Sequence, residues 1–248
     1  MPKFDEAKYL DRFITVVQYA DRLHYQKIFC PECEIASLHY VKKQKIAPYF
    51  SSNRNIEHDE DCQHYHEQIS PQLLKELSTS ELAEDRERFN FLINSGLESA
   101  LRQMLKNLGN KKTKLTDSEV DLGRSIVSND GKSIKEAIRR VHITNIRKQD
   151  NLAGEYMIIY GNAETKLSTR ELINKATGEK FFSGMVTFKS NNSLYFSVLL
   201  KSWQLPHFEE RKIPINVRFA VFGQLKSPEK KYLNLTIRLV EDFRFLPF

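Results

Sequence analysis

The sequence has no long apolar run: the longest is the five residues 156–160 of a 248-residue chain, far short of the ~20 that a membrane helix needs. Glycine (9) and proline (8) are sparse and without period, which excludes collagen-like and low-complexity chains. Cysteine is scarcer still. Three residues, an odd number with two in a Cys-x-x-Cys, suit a metal site in a reducing compartment better than a disulfide framework, so a cytoplasmic location is expected. The opening MPKFDEAKYLDRF lacks the apolar core of a secretory leader, and none is expected. No phosphate-binding loop, dinucleotide fingerprint, nucleophile elbow or His-Glu-x-x-His occurs. His142 and His207, outside the first 70 residues, belong to no recognisable catalytic motif with an acidic or nucleophilic partner. No catalytic residue is assigned, and a non-enzymatic protein is expected.

What is present is enough for packed cores, with 40% hydrophobic and 11% aromatic residues. The net charge of +6 is unevenly spread. Residues 1–70 carry 9 Lys+Arg against 11 Asp+Glu, residues 71–135 carry 11 against 10, and residues 136–248 carry 18 against 11. The last stretch is therefore at +7, a charge that favours a polyanionic partner.

These stretches predict an α+β chain of three parts. Residues 1–70 hold every cysteine and five of the seven histidines, with short β-like runs at Phe13–Tyr19 and Leu38–Val41, the composition of a small β-rich domain that needs a metal to fold. Residues 71–135 read as a helical connector. Ser70-Pro71 offers an N-cap and a first-turn proline, and Ser78-x-x-Glu81 a capping box. Phe89, Leu92, Ile93, Leu97, Ala100, Leu101, Met104, Leu105 and Leu108 then recur at helical spacing. Gly109-Asn110 is the expected C-cap, with shorter helices after Thr116-x-x-Glu119 and Ser133-x-x-Glu136 and a loop at Ser128–Gly131. The apolar stripe must be covered, either by flanking domains or by a second copy in a homo-oligomer joined through residues 80–108.

From about Val141 the period becomes 2. Ile215, Val217, Phe219 and Val221 alternate with Asn216, Arg218, Ala220 and Phe222, and Leu233, Leu235, Ile237 and Leu239 alternate with Tyr232, Asn234, Thr236 and Arg238. Val141–Arg147, Tyr156–Tyr160, Phe182–Lys189 and Leu194–Trp203 fit further strands, with Gly161 and Gly184 at bends. Residues 136–248 are thus expected to form a small antiparallel barrel.

Cys30-Pro-Glu-Cys33 followed by His58 and Cys62 gives C-x2-C-x24-H-x3-C, a knuckle plus a His/Cys pair of the type that closes a structural Zn2+ site. His64 and His66 compete with His58 as the fourth ligand. Buried unliganded cysteines and a redox Cys-x-x-Cys are the other readings. The run Ile28-Phe-Cys-Pro-Glu-Cys33, the β-like stretch, Pro48-Tyr-Phe50, and then His58 and Cys62 resemble the N-terminal zinc-binding region of CoiA-like competence proteins, over residues 25–66 only. That resemblance implies DNA handling and a restriction-like nuclease part. Against the nuclease signature, Asp/Glu-x-Lys on a strand, Glu210-Arg211-Lys212 falls ahead of the strand near Ile213 and reads as a loop salt-bridge cluster. A divergent metal-dependent nuclease is therefore the alternative rather than the leading reading.

The basic barrel resembles an oligonucleotide-binding (OB) fold. In such a single-strand binder, cations track phosphates and exposed aromatics stack on bases. Lys189, Lys201, Arg218 and Arg238 are candidates for the first role and Tyr195, Trp203 and Tyr232 for the second, although each aromatic could instead fill the core. The expected function is binding of single-stranded DNA or RNA. A protein-interaction adaptor is the remaining alternative.

Overall fold

The computed structural model describes residues 3–53, 56–108, 136–148, 154–173, 176–190, 193–226 and 233–247. It is a mixed α+β chain with two compact units, Met1–Gln68 with Leu105–Glu136, and Ile69–Met104 with Ala137–Phe248. No helix among the described residues is long and apolar enough to cross a membrane.

The first unit is built from short strands, β1 (Lys3–Phe4), β2 (Glu6–Tyr9), β3 (Arg12–Thr15), β4 (Leu38–Lys43), β5 (Ile46–Ser52) and β6 (Glu67–Gln68), with helix α1 (Asp21–His24). Strands β1, β5 and β4 form one antiparallel sheet, and β2 and β3 a hairpin. Its core is small. Seven buried apolar residues, among them Phe4, Ile28, Leu38 and Phe50, surround the three cysteines.

In the second unit α2 (Pro71–Thr79) starts as expected, with the Ser70 side chain accepting from the Leu73 amide and Pro71 in the first turn. Ser78 is not a cap, because it lies inside α2 and donates to the Lys75 carbonyl. Ser80 instead precedes α3 (Ala83–Leu108), where it accepts from the Leu82 amide and donates to Asp85. The expected cap at 109–110 and the boxes and loop at 116–119, 128–131 and 133–136 fall wholly or mainly outside the described residues.

The remaining elements are β7 (Glu136–Ala137), β8 (Arg140–His142), β9 (Tyr156–Ile173), β10 (Lys180–Ser190), β11 (Ser193–Leu200), α4 (Leu205–Arg211), β12 (Asn216–Lys226), β13 (Leu233–Thr236) and β14 (Phe243–Pro247). The strand expected over Val141–Arg147 ends at His142 and turns into a 3-10 helix at Ile143–Lys148. The one expected over Leu194–Trp203 ends at Leu200. Strands β8 to β14 make one seven-stranded sheet in the order β14-β12-β13-β11-β10-β9-β8, and β12 also pairs with β9. The pairings β9–β10–β11–β13–β12 therefore return to β9, all antiparallel except the parallel pair β11–β13. Inside this ring the alternate residues Met157, Ile159, Val186, Phe188, Phe196, Val198, Val217, Phe219, Val221 and Leu235 form one core. Phe188 lies parallel to Phe196 at 4.4 Å, and Phe208 of α4 stacks on Phe243.

Two glycines let strands pass close to their neighbours. Gly161 has φ +147°, a conformation side chains disfavour, and a Cβ there would meet Ile143 at 2.6 Å. At Gly223 a Cβ would run into the Thr236 carbonyl oxygen of β13. Backbone cannot swing aside as a side chain can, so Gly223→Ala is expected to cost about 1–3 kcal/mol by overpacking, read as a lower urea midpoint. An unchanged midpoint would mean that β12 and β13 are not so closely paired.

The outer face of β9 and β12 is covered over part of its length, while Asn162, Glu164 and Asn216 on it stay exposed. Ala220 and Phe222, on the face expected to point outward, are fully buried. Phe222 meets the edge of Phe89 from α3 at 5.8 Å and stacks on Tyr156. Gly96 lies so close to Ile158 that a Cβ would stand 2.5 Å from its tip. Phe89, Leu92, Ile93, Leu97 and Ala100 are all buried. The helical stripe from Phe89 to Ala100 is thus covered within the chain.

Candidate metal centre and basic surface

The metal centre is assembled by two tight turns. At the knuckle, the Cys30 amide donates to the Ala36 carbonyl and the Glu34 amide to the Cys30 carbonyl, and Glu34 takes the left-handed φ of +56° that reverses the chain after Cys33. At the second turn the Cys62 amide donates to the Asp59 carbonyl, bringing His58 and Cys62 to one side. The ligand atoms of Cys30, Cys33, His58 and Cys62 all lie within 4.8 Å of one another and all four residues are buried, so that they could hold a metal ion. Cys30 Sγ is 3.8 Å from Cys62 Sγ. His58 Nδ1 is 3.6 Å from Cys33 Sγ and 3.5 Å from Cys62 Sγ.

Of the three candidate histidines, His58 is the one in the cluster. His64 packs edge-on against Phe4, and His66 Nε2 lies 2.9 Å from the Glu60 carbonyl oxygen. Around the cluster, Glu32 Oε2 accepts from the Gln63 amide, and Lys106 pairs with both Asp59 and Asp61 at 2.8 Å. Partial burial works against the Lys106 charge, but its hydrogen bonds to the two carboxylates outweigh that and raise its pKa.

Three thiols this close cannot ionise independently. Hydrogen bonds from Cys30, Cys62 and His58 draw Cys33 far below the ordinary thiol range. Cys30 is pushed up to about 12, chiefly by its hydrogen bond with Cys33, and Cys62 is raised by Cys30 and Cys33 and by burial. A bound cation resolves the conflict, since metal coordination deprotonates a thiol outright.

The seven candidate nucleic-acid contacts do not share one fate. Lys189 on β10 and Lys201 just after β11 are exposed, and Trp203 is 50% exposed in the turn before α4. Tyr195 lies on β11, with its side chain outside those described, and Tyr232 lies outside the described residues. Arg218 is half-buried on β12 and donates to the Pro247 carbonyl of β14. Arg238 is half-buried and held by α3. Its guanidinium sits 5.0 Å over the Phe89 ring and donates to Asn90 Oδ1 at 2.7 Å. Arg244 likewise holds Glu98 and Asn94, and Arg140 donates to Ser99. Part of the basic excess thus fastens α3 to the sheet.

Sequence reasoning passed over the β9–β10 hairpin. There Ile173 (61% exposed), Phe181 (39%) and Phe182 (58%) lie open to solvent, beside exposed Arg170. The signal was a Phe-Phe pair, one side chain to each face of the strand, at a strand end where no apolar partner followed. Glu210 and Arg211 end α4, and Lys212 is its left-handed cap, so this trio is not carried on a strand.

No protein-family model, curated protein or solved structure matches the chain.

Proposed function

We propose that the protein binds single-stranded nucleic acid through an OB-type barrel in its second unit and is stabilised by a structural Zn2+ in its first. The observation that carries the first half is the strand ring β9–β10–β11–β13–β12, with α4 between its third and fourth strands. Five strands closed in this way fit the OB architecture, whose second and third strands and first hairpin loop supply the binding face. Here those elements are β10, β11 and the β9–β10 hairpin; they bear exposed Lys189, Arg170 and Phe182, and exposed Lys201 and Trp203 follow directly after β11. Cations and open aromatic rings on one strand pair are what phosphates and bases require.

For the zinc, bonds of ~2.3 Å to sulfur and ~2.05 Å to nitrogen place tetrahedral S–S edges at about 3.8 Å and S–N edges at about 3.5–3.6 Å. The cluster has 3.8 Å for Cys30–Cys62 and 3.5 and 3.6 Å for the two sulfurs facing His58. With no carboxylate ligand and no open position, the role is structural rather than catalytic. Bound there, the ion would cross-link residues far apart in the sequence and supply folding free energy.

The test is titration of the full chain with oligo(dT) and oligo(rU) at low ionic strength. Trp203 is the single tryptophan, so a base stacking on it should quench the intrinsic fluorescence. Trp203→Ala and Phe182→Ala are each expected to weaken binding about 5- to 150-fold, with the salt dependence intact. Lys189→Ala and Lys201→Ala should flatten the salt slope by ~0.7 per lost phosphate contact. A folded protein that binds neither oligonucleotide at low salt would replace this reading with a protein-docking one.

A further inference from the structure

We propose that the first unit also carries a site for a small organic cation of the methylated-ammonium type, in a pocket walled by Tyr19, Tyr25 and Tyr40 beside Asp21. This site is separate from the metal cluster and does not depend on the nucleic-acid reading.

The pocket encloses about 180 Å³, below the ~300 Å³ at which pockets begin to hold drug-sized ligands, so its occupant is a head group rather than a large molecule. His39 and Asn53 complete the polar side of the lining. Local structure explains why the tyrosines gather here. Tyr19 follows β3 and lies against Phe50 at 5.7 Å, Tyr40 reaches it from β4, and Tyr25 caps the end of α1. Tyr19 and Tyr40 are nearly parallel, at 10° with centroids 4.7 Å apart. They are already stacked on each other and leave no slot between them for a planar base. Tyr25 is 63% exposed, a ring that contributes little to the core.

Among the lining residues the one fully charged group is the Asp21 carboxylate, and it faces the Tyr19 hydroxyl. Burial and the hydrogen bond to Asp21 push Tyr19 up to about 12, so the phenol stays neutral across the working range. Electron-rich ring faces beside a carboxylate attract a cation and repel a phosphate. A methylated ammonium, which sheds water more readily than a primary one, gains most from such walls.

The experiment is isothermal titration of the full, metal-loaded chain with Nε-trimethyl-lysine, unmodified lysine and tetramethylammonium, with AMP and UMP as competitors of the other chemistry. Saturable binding of trimethyl-lysine is expected, about tenfold or more tighter than lysine. Tyr25→Ala and Asp21→Asn, both at exposed positions, should each weaken it about tenfold without moving the melting temperature, and Tyr25→Phe should retain it. Equal affinity for lysine, no saturable binding of either cation, or variants that bind like the parent would overturn the proposal. Saturable binding of AMP or UMP at the same tyrosines would overturn it in favour of a base pocket.

Discussion

Cys62→Ser is expected to remove one equivalent of zinc from the purified protein and to abolish the cooperative unfolding of the first unit. The energetic reason is how little else holds that unit. Among the described residues its buried core amounts to ten, and three of them are the cysteines themselves. Seven apolar side chains fall well short of the entropy of ordering some seventy residues, a deficit that a metal cross-linking Cys30, Cys33, His58 and Cys62 would offset. Structural zinc in small domains contributes on the order of 10 kcal/mol. Metal analysis gives the first readout and amide exchange in residues 3–53 the second. A chain with no stoichiometric metal, or a Cys62→Ser variant with unchanged exchange, would sink the zinc reading. Because thiolates and a neutral imidazole are the ligating forms, acid should release the ion and reproduce the variant's behaviour.

Phe89→Ala is expected to cost the second unit about 3–5 kcal/mol, a drop of roughly 10 °C in melting temperature for a body of this size. Phe89 is 1% exposed, stands edge-on to Phe222 and Tyr156 and carries the Arg238 guanidinium on its face. Truncation therefore leaves a void against the sheet and also strips a cation of its aromatic platform. Asn90→Ala removes only the hydrogen bond from Arg238 and should cost about 1 kcal/mol. If thermal denaturation gave the two variants equal and small effects, α3 would not be seated on β9 and β12.

Much of this was legible in the residues themselves, where the chemistry is local. Two thiolates three apart and a His/Cys pair four apart announce a metal site, although His58, His64 and His66 were indistinguishable until the turn at Asp59 had aimed the first of them. The alternation through Val217, Phe219 and Val221 correctly marked one face of β12 as core. It cannot say what lies over the other face, nor that Arg238 is held by Phe89 and Asn90 of α3. Ala220 and Phe222 were the available warning, being apolar residues on a face supposed to meet water. Strand β9 was recognised only to Tyr160, because beyond Gly161 its inward positions are Ala163, Thr165 and Leu167, too weakly apolar to show a period. Helix α4 has seven residues, less than two full turns, and only Leu205 and Phe208 face inward. Ring closure lies further still beyond a sequence pattern, since nothing local pairs Tyr156 with Gln224.

That pairing governs the timing of folding. All four metal ligands have been synthesised by Cys62, and the turns that gather them are short. The ring cannot close until β13 has left the ribosome, some 170 residues later, which at ~5–20 residues per second is on the order of 10–30 s. Once β10 is made, and until β13 is complete some 46 residues later, about 2–9 s at the same rate, β9 and β10 exist as a hairpin whose edges await partners, and the contacts that finish the ring span long stretches of chain, which makes them slow to form. The nascent protein therefore passes through a stage in which the residues of the Cys/His cluster are all present and the β-rich part offers unpaired strand edges, the period when it is most open to chaperone capture or self-association.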